Sequence, residues 1–196
     1  MQASKAQHLA PLMRTATRFL IMVLLLGAAN YCAAQESTAE RLRRVEETLQ
    51  SLEYRKDIEV LRKAQRELNS ILETDTSSVF KPQIQANLDL VNENLAYHDL
   101  LVAAFYMNKG HGHSLVGARS RLQNIPQNYP KFSKMDEVLF RLSVISIANE
   151  EPEEAARYCW KLICNYPNSE YAKPAFERLN EIGVSSWEGC QKYKLQ

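Results

Sequence analysis

The chain has 196 residues, with 24 lysines and arginines against 23 aspartates and glutamates, a formal net charge of +1. That length holds one domain with extra segments. The near balance of charge argues against a general binder of nucleic acid or anionic membranes.

Lys5, Arg14 and Arg18 make the start basic, and no acidic residue precedes Glu36. Phe19 to Ala29 is an apolar run of 11 residues, short of the roughly 20 that a membrane-spanning helix needs. A basic start, a short apolar stretch and small residues behind it predict an export signal over residues 1–34 rather than an uncleaved anchor. Cys32-Ala33-Ala34 puts small residues where a general signal peptidase reads, so cleavage is expected after Ala34. The alternative is lipidation of Cys32, against which Tyr31 occupies the place a lipoprotein signal gives to a small residue. Cleavage after Ala34 removes three of the 24 basic residues and none of the 23 acidic ones, leaving 21 against 23, or −2.

Ser37-Thr38-Ala39-Glu40 reads as a capping box, a hydroxyl followed three residues later by a carboxylate. Leu42, Val45, Leu49 and Leu52 then recur at helical spacing, with Arg and Glu between them. This predicts an N-terminal amphipathic helix within residues 35–60. Ile58, Leu61, Ala64, Leu68, Ile71 and Leu72 form a second apolar face in a different phase. Residues 38–73 are therefore one long helix, or two with a break near Tyr54–Asp57. Thr74 to Lys81 reads as a loop whose Val79 and Phe80 are expected to enter the core. Pro82 suits the first turn of the next helix, which runs to about Lys109 before Gly110. Its apolar side is expected from Ile84, Leu88, Val91 and Leu95, then Leu101, Val102, Phe105 and Tyr106.

Helices follow at about 115–125, 134–149, 153–165 and 170–182. They are separated by a loop at Pro126–Pro130, a turn at Glu150–Pro152, a loop at Tyr166–Asn168 and a stop at Gly183. The tail, residues 184–196, carries Trp187 and Cys190 and shows no readable pattern. No strand-like alternation of useful length appears, so the fold class is all-α. Cys159, Cys164 and Cys190 survive cleavage after Ala34, and an odd count leaves one thiol over. Cys159 and Cys164, five apart on one helix, read as small apolar core residues, and the pairing of all three stays open.

Within this helical run, Asn128-Tyr129-Pro130 recurs as Asn165-Tyr166-Pro167, 37 residues later. Ala118 is echoed by Ala155, Leu122 by Cys159, Ile125 by Leu162, Leu139 by Phe176, Arg141 by Arg178 and Leu142 by Leu179. Ala64, Leu68 and Ile71 keep the same internal spacing as a degenerate relic. A period in the mid-thirties marks stacked helical hairpins, which bury their faces against one another and bind partners on the surface so formed. The predicted architecture is a short α-solenoid over residues 61–183, preceded by a long amphipathic helix.

Ala155, Cys159, Leu162 and Pro167 fall where tetratricopeptide repeats place an alanine, two packing residues and a closing proline. Leu139, Leu142 and Ser143 match the preceding helix of that pattern, and Ser146 stands where an aromatic residue is usual. Residues 98–110, Ala118 to Leu122, Asn128 to Pro130, Asp136 to Leu142 and Glu153 to Tyr158 resemble the BamD family in particular. With two clear repeats and a relic, the chain reads as a shortened member. That family is a periplasmic component of the machinery that folds β-barrels into the bacterial outer membrane. The resemblance implies a non-enzymatic scaffold without a cofactor, on the inner face of the outer membrane. It implies partners among the other subunits of the β-barrel assembly complex or unfolded outer-membrane proteins, with membrane association through those partners or a lipid anchor. The stripe from Leu42 to Leu52 ahead of repeats is also similar to the CpoB family, whose implied role is a self-associating periplasmic repeat protein.

Candidate partner-binding residues are Arg121, Arg141, Arg157 and Arg178, whose guanidinium groups suit carboxylates, and Tyr129 and Tyr166 in the loops between repeats. Pairing with local Glu and packing against the next helix are their structural alternatives. His111-Gly112-His113 reads as a solvated turn rather than a metal site, and His98 beside Asp99 as structural. Glu150, Glu151, Glu153 and Glu154 suit a helix start. No Cys-x-x-Cys, phosphate loop or nucleophile elbow is present.

Overall fold

The computed structural model describes residues 38–50, 57–75, 78–109 and 112–184. The export signal with Cys32 and Ala34, Ser37 of the capping box, and the tail beyond Val184 lie outside the described residues. Residues 38–50 form α1. The helices α2 (Ile58–Thr74), α3 (Lys81–Lys109), α4 (Gly112–Asn128), α5 (Met135–Ala148), α6 (Pro152–Asn165) and α7 (Ala172–Glu181) follow. No strand occurs among the described residues, and the all-α repeat architecture stands.

The chain divides into two compact units. In the first, residues 1–52 and 66–87, α1 buries Leu42, Val45 and Leu49. The same unit buries Leu68, Ile71 and Ile84. Polar links pin α1 down: Arg41 Nε donates to Glu67 Oε1 at 2.7 Å, and Gln83 Nε2 and Asn87 Nδ2 donate to Glu46 Oε1 at 2.7 and 2.9 Å. Val79 does not enter the core. It is 70% exposed, because Ser78 before it takes a left-handed φ of 57° and turns the loop outward.

The second unit holds residues 53–65 and 88–196. It settles the reading of residues 38–73 as two helices, because Asp57 caps a new start. Its Oδ1 accepts from the Glu59 and Val60 backbone N–H groups at 2.9 and 3.3 Å, the N-cap arrangement. Ala96, Leu100 and Ala103 of α3 join Ala118, Leu122 and Ile125 of α4, Leu142 and Ile145 of α5, Cys159 and Leu162 of α6, and Ala175 and Leu179 of α7 in one core. The echoed pairs Ala118/Ala155, Leu122/Cys159, Ile125/Leu162 and Leu142/Leu179 are thus buried, whereas Phe176, the echo of Leu139, is 44% exposed. On α3 Ile84, Leu88, Val91 and Leu95 are buried as expected, and the departure lies in the C-terminal half. Leu101 and Phe105 are 52% and 57% exposed. The small residues Ala96 and Ala103 are buried there instead.

Both α5 and α7 end in the same device. Glu151 N–H donates to Ser146 O at 2.9 Å and Glu150 N–H to Ile147 O at 3.0 Å. Val184 N–H donates to Leu179 O at 2.9 Å and Gly183 N–H to Asn180 O at 3.1 Å. These are Schellman closures around a left-handed residue, Glu150 at φ 60° and Gly183 at φ 74°. The helix α4 runs three residues further than expected, with Pro126 inside its last turn. Fully buried Leu122 and Ile125 hold that turn, and Tyr129 N–H closes it on Ile125 O at 2.8 Å.

Candidate functional site

A groove of about 590 Å³ opens between α4, α5 and α6, wholly within the second unit. Its floor is Met135, Leu139 and Leu142 of α5. These positions are four and three apart, so they lie on one face of the helix. One wall is polar: Ser120, Gln123, Asn124 and Gln127 of α4, again a single helical face. It lies beside the face that carries Ala118, Leu122 and Ile125 into the core. The other wall is Arg157, Tyr158 and Lys161 of α6, and Tyr166 and Pro130 close the ends.

The walls are held by a charged network at the start of α6. Pro152 sits in its first turn, where the missing N–H costs nothing. Glu153 and Glu154 favour the positive end of the helix dipole. Arg119 of α4 donates to Glu151 Oε1 at 2.9 Å and also pairs with Glu154. The hydrogen bond from Arg119 holds the Glu151 carboxyl below its ordinary range. Glu154 also pairs with Arg157 and accepts from Tyr158 Oη at 3.2 Å. The Arg157 guanidinium lies 4.9 Å over the Tyr158 ring. Gln123 Nε2 donates to Tyr158 Oη at 3.4 Å. Burial pushes the Tyr158 phenol above its ordinary pKa.

Two arginines and two glutamates balance in this network, and Lys161 makes no ion pair with a described residue. The groove therefore offers an apolar floor, the carboxamides of Asn124 and Gln127, which make no hydrogen bond to a described residue, and the Lys161 cation. Those groups suit a protein segment. The floor has the chemistry to take an apolar side chain, the carboxamides to bond main-chain amides, and Lys161 to pair with a carboxylate.

Of the candidate residues, the groove brings together Arg157 and Tyr166. Arg121 instead donates to Asp99 Oδ1 at 3.0 Å, and Arg141 donates to Glu137 at 2.6 Å on its own helix. Arg178 lies 5.4 Å over the Phe140 ring. Tyr129 and Tyr166 are both partly buried against the core. Sequence reading missed Gln123, Asn124, Gln127, Tyr158 and Lys161. The spacing of the amides on α4 was the available signal. His98 Nδ1 lies 4.0 Å from Asp99, while His111 lies outside the described residues. Among the described residues no cluster of His, Cys, Asp or Glu could hold a metal ion. No described helix is long and apolar enough to cross a membrane.

Cys159 is a buried free thiol, its pKa raised by burial. Cys164 departs from expectation: it is bonded in a disulfide whose partner lies outside the described residues. It is only half-buried, because it lies well round the helix from the Ala155, Cys159 and Leu162 face.

The family model described as outer membrane lipoprotein, YfiO, matches residues 22–156. A curated relative, the outer membrane protein assembly factor BamD of Rickettsia prowazekii (strain Madrid E), is 30% identical over 89 residues, 45% of this chain. The match spans about a third of that relative's length, 34%. No solved structure matches the chain. The chain belongs to the outer membrane lipoprotein family.

Proposed function

We propose that, as a member of this family, the chain is a non-enzymatic adaptor in outer-membrane protein assembly, placed on the periplasmic side of the outer membrane. The observation that carries this reading is the family match over residues 22–156. The groove supplies its mechanism: Leu139 and Leu142 take an apolar side chain and Lys161 a carboxylate of a partner segment. Arg157 and Tyr166 belong to that contact, whereas Arg121, Tyr129, Arg141 and Arg178 do not line the groove. Residues 1–34 direct export, and the repeats within residues 61–183 carry the binding. The family's description as lipoproteins supports lipidation of Cys32 over cleavage after Ala34. Mass spectrometry of the mature N-terminus distinguishes the two.

The alternative, a CpoB-like self-associating envelope protein, requires a free stripe on α1. Leu42, Val45 and Leu49 are buried within their own chain, which removes that support. The test is crosslinking in intact cells from a photoreactive residue at Asn124, then affinity capture and mass spectrometry. Recovery of β-barrel assembly subunits or unfolded outer-membrane proteins, reduced by Lys161→Glu, is the expected result. Self-crosslinks or Tol-Pal proteins alone would turn the reading to the alternative.

A further inference from the structure

A second surface lies outside the groove. Tyr97, Leu101 and Phe105 of α3 are 41%, 52% and 57% exposed. At positions i, i+4 and i+8 they form one row along the helix. Together they leave on the order of 300 Å² of large side chains in water, the scale at which an apolar patch on a small protein is commonly functional. The core does not need them, because Ala96, Leu100 and Ala103 supply the buried face of the same stretch.

Each end of the row carries a cation over a ring. Lys134 Nζ lies 5.0 Å from the Tyr97 ring centroid, and Lys109 Nζ lies 4.5 Å from that of Phe105. Neither lysine makes an ion pair with a described residue. The two rings are about 12 Å apart along the axis, eight residues at 1.5 Å each.

We propose that the Tyr97–Leu101–Phe105 row is a docking face for an amphipathic helix of a partner protein whose apolar row is bracketed by carboxylates two helical turns apart. Charge complementarity selects this occupant. A second copy of the row, in either direction, sets lysine against lysine. A lipid surface fits less well, because the row is one residue wide and Glu93 flanks it rather than further cations. Glu93 is itself held in place, accepting from the Ser133 backbone N–H at 3.1 Å. An acidic helix leaves both lysines matched and the three apolar side chains covered.

The test uses the full chain and a fluorescent synthetic helix with leucines at i, i+4 and i+8 between glutamates. A twin peptide carries lysines in place of the glutamates. Fluorescence anisotropy should show saturable binding of the glutamate peptide, weakened at least tenfold by Leu101→Glu. Joint substitution Lys109→Glu and Lys134→Glu should reverse the preference to the lysine twin. Lys161→Glu, which alters the groove, should leave the binding of this peptide to the row unchanged. Circular dichroism of Leu101→Glu should match the parent, since the side chain is half in water. Equal binding of the twins, no saturable binding, or loss on Lys161→Glu would overturn the proposal. So would a dimer dissolved by Leu101→Glu, or Leu101-dependent sedimentation with phosphatidylglycerol vesicles in place of peptide binding.

Discussion

Glu150→Gly is expected to stabilise the protein. Glu150 closes α5 at φ 60°, a conformation in which the Cβ of an L-residue crowds the following carbonyl. That crowding costs roughly 1–2 kcal/mol. Glycine removes it but gives back about 0.5–1 kcal/mol through the larger freedom of the unfolded chain. The net gain is about 0.5–1 kcal/mol, or a rise in Tm of roughly 1–4 °C for a chain of this size. The side chain is exposed and makes no ion pair among the described residues, so nothing else is lost. Gly183 at φ 74° is the mirror experiment. A Cβ built there meets nothing within 4 Å, so Gly183→Ala loses stability through conformation alone, by about 0.5–1 kcal/mol. Both variants are measured by urea titration and thermal circular dichroism. A lower melting point for Glu150→Gly, or a neutral Gly183→Ala, would refute the reasoning that both turns penalise a Cβ alike.

Ser146 is 1% exposed and its Oγ has no hydrogen-bond partner among the described residues, whereas Ser143 Oγ donates to Phe140 O at 2.7 Å. Ser146→Ala should therefore raise stability by about 1 kcal/mol, and Ser143→Ala should not, as chemical denaturation will show. In acid, the Arg119–Glu151 bond is one source of pH dependence. The Glu151 pKa is lowered on folding, so its contribution is present above the ordinary carboxylate pKa of about 4.3 and lost as pH falls through the folded value. Melting curves from pH 3 to 7 should show this loss, and Arg119→Gln should flatten it. In alkali, burial raises the Tyr129, Tyr158, Tyr166 and Tyr171 phenols. The stability they contribute is whole below pH about 10 and lost as pH rises through their folded values. Absorbance at 295 nm should record phenolate forming late and together with unfolding.

The helices were legible because each rests on local information. Apolar periodicity marked α1 to α7, Asp57 and Pro82 marked two starts, and Gly183 marked a stop. The 37-residue echo also located the core, since Ala118, Leu122, Ile125, Ala155, Cys159 and Leu162 are all fully buried. The turn at Glu150 was legible only as a turn, because a left-handed glutamate carries no glycine to announce it. In the C-terminal half of α3, Leu101 and Phe105 were misjudged for a related reason. A helix that is apolar on several faces does not say which face its neighbours will cover.

By itself, then, the sequence determined an all-α chain of stacked hairpins, its core-facing positions and its likeness to an envelope assembly family. Tertiary structure alone decided that Gln123, Lys161 and Leu139 share a groove, that Arg119 ties α4 to α6, and that Leu101 faces water. Helix formation and the repeat follow from spacing within one turn or one period. Which faces oppose each other depends on how several helices satisfy their packing at once, and no single segment carries that information.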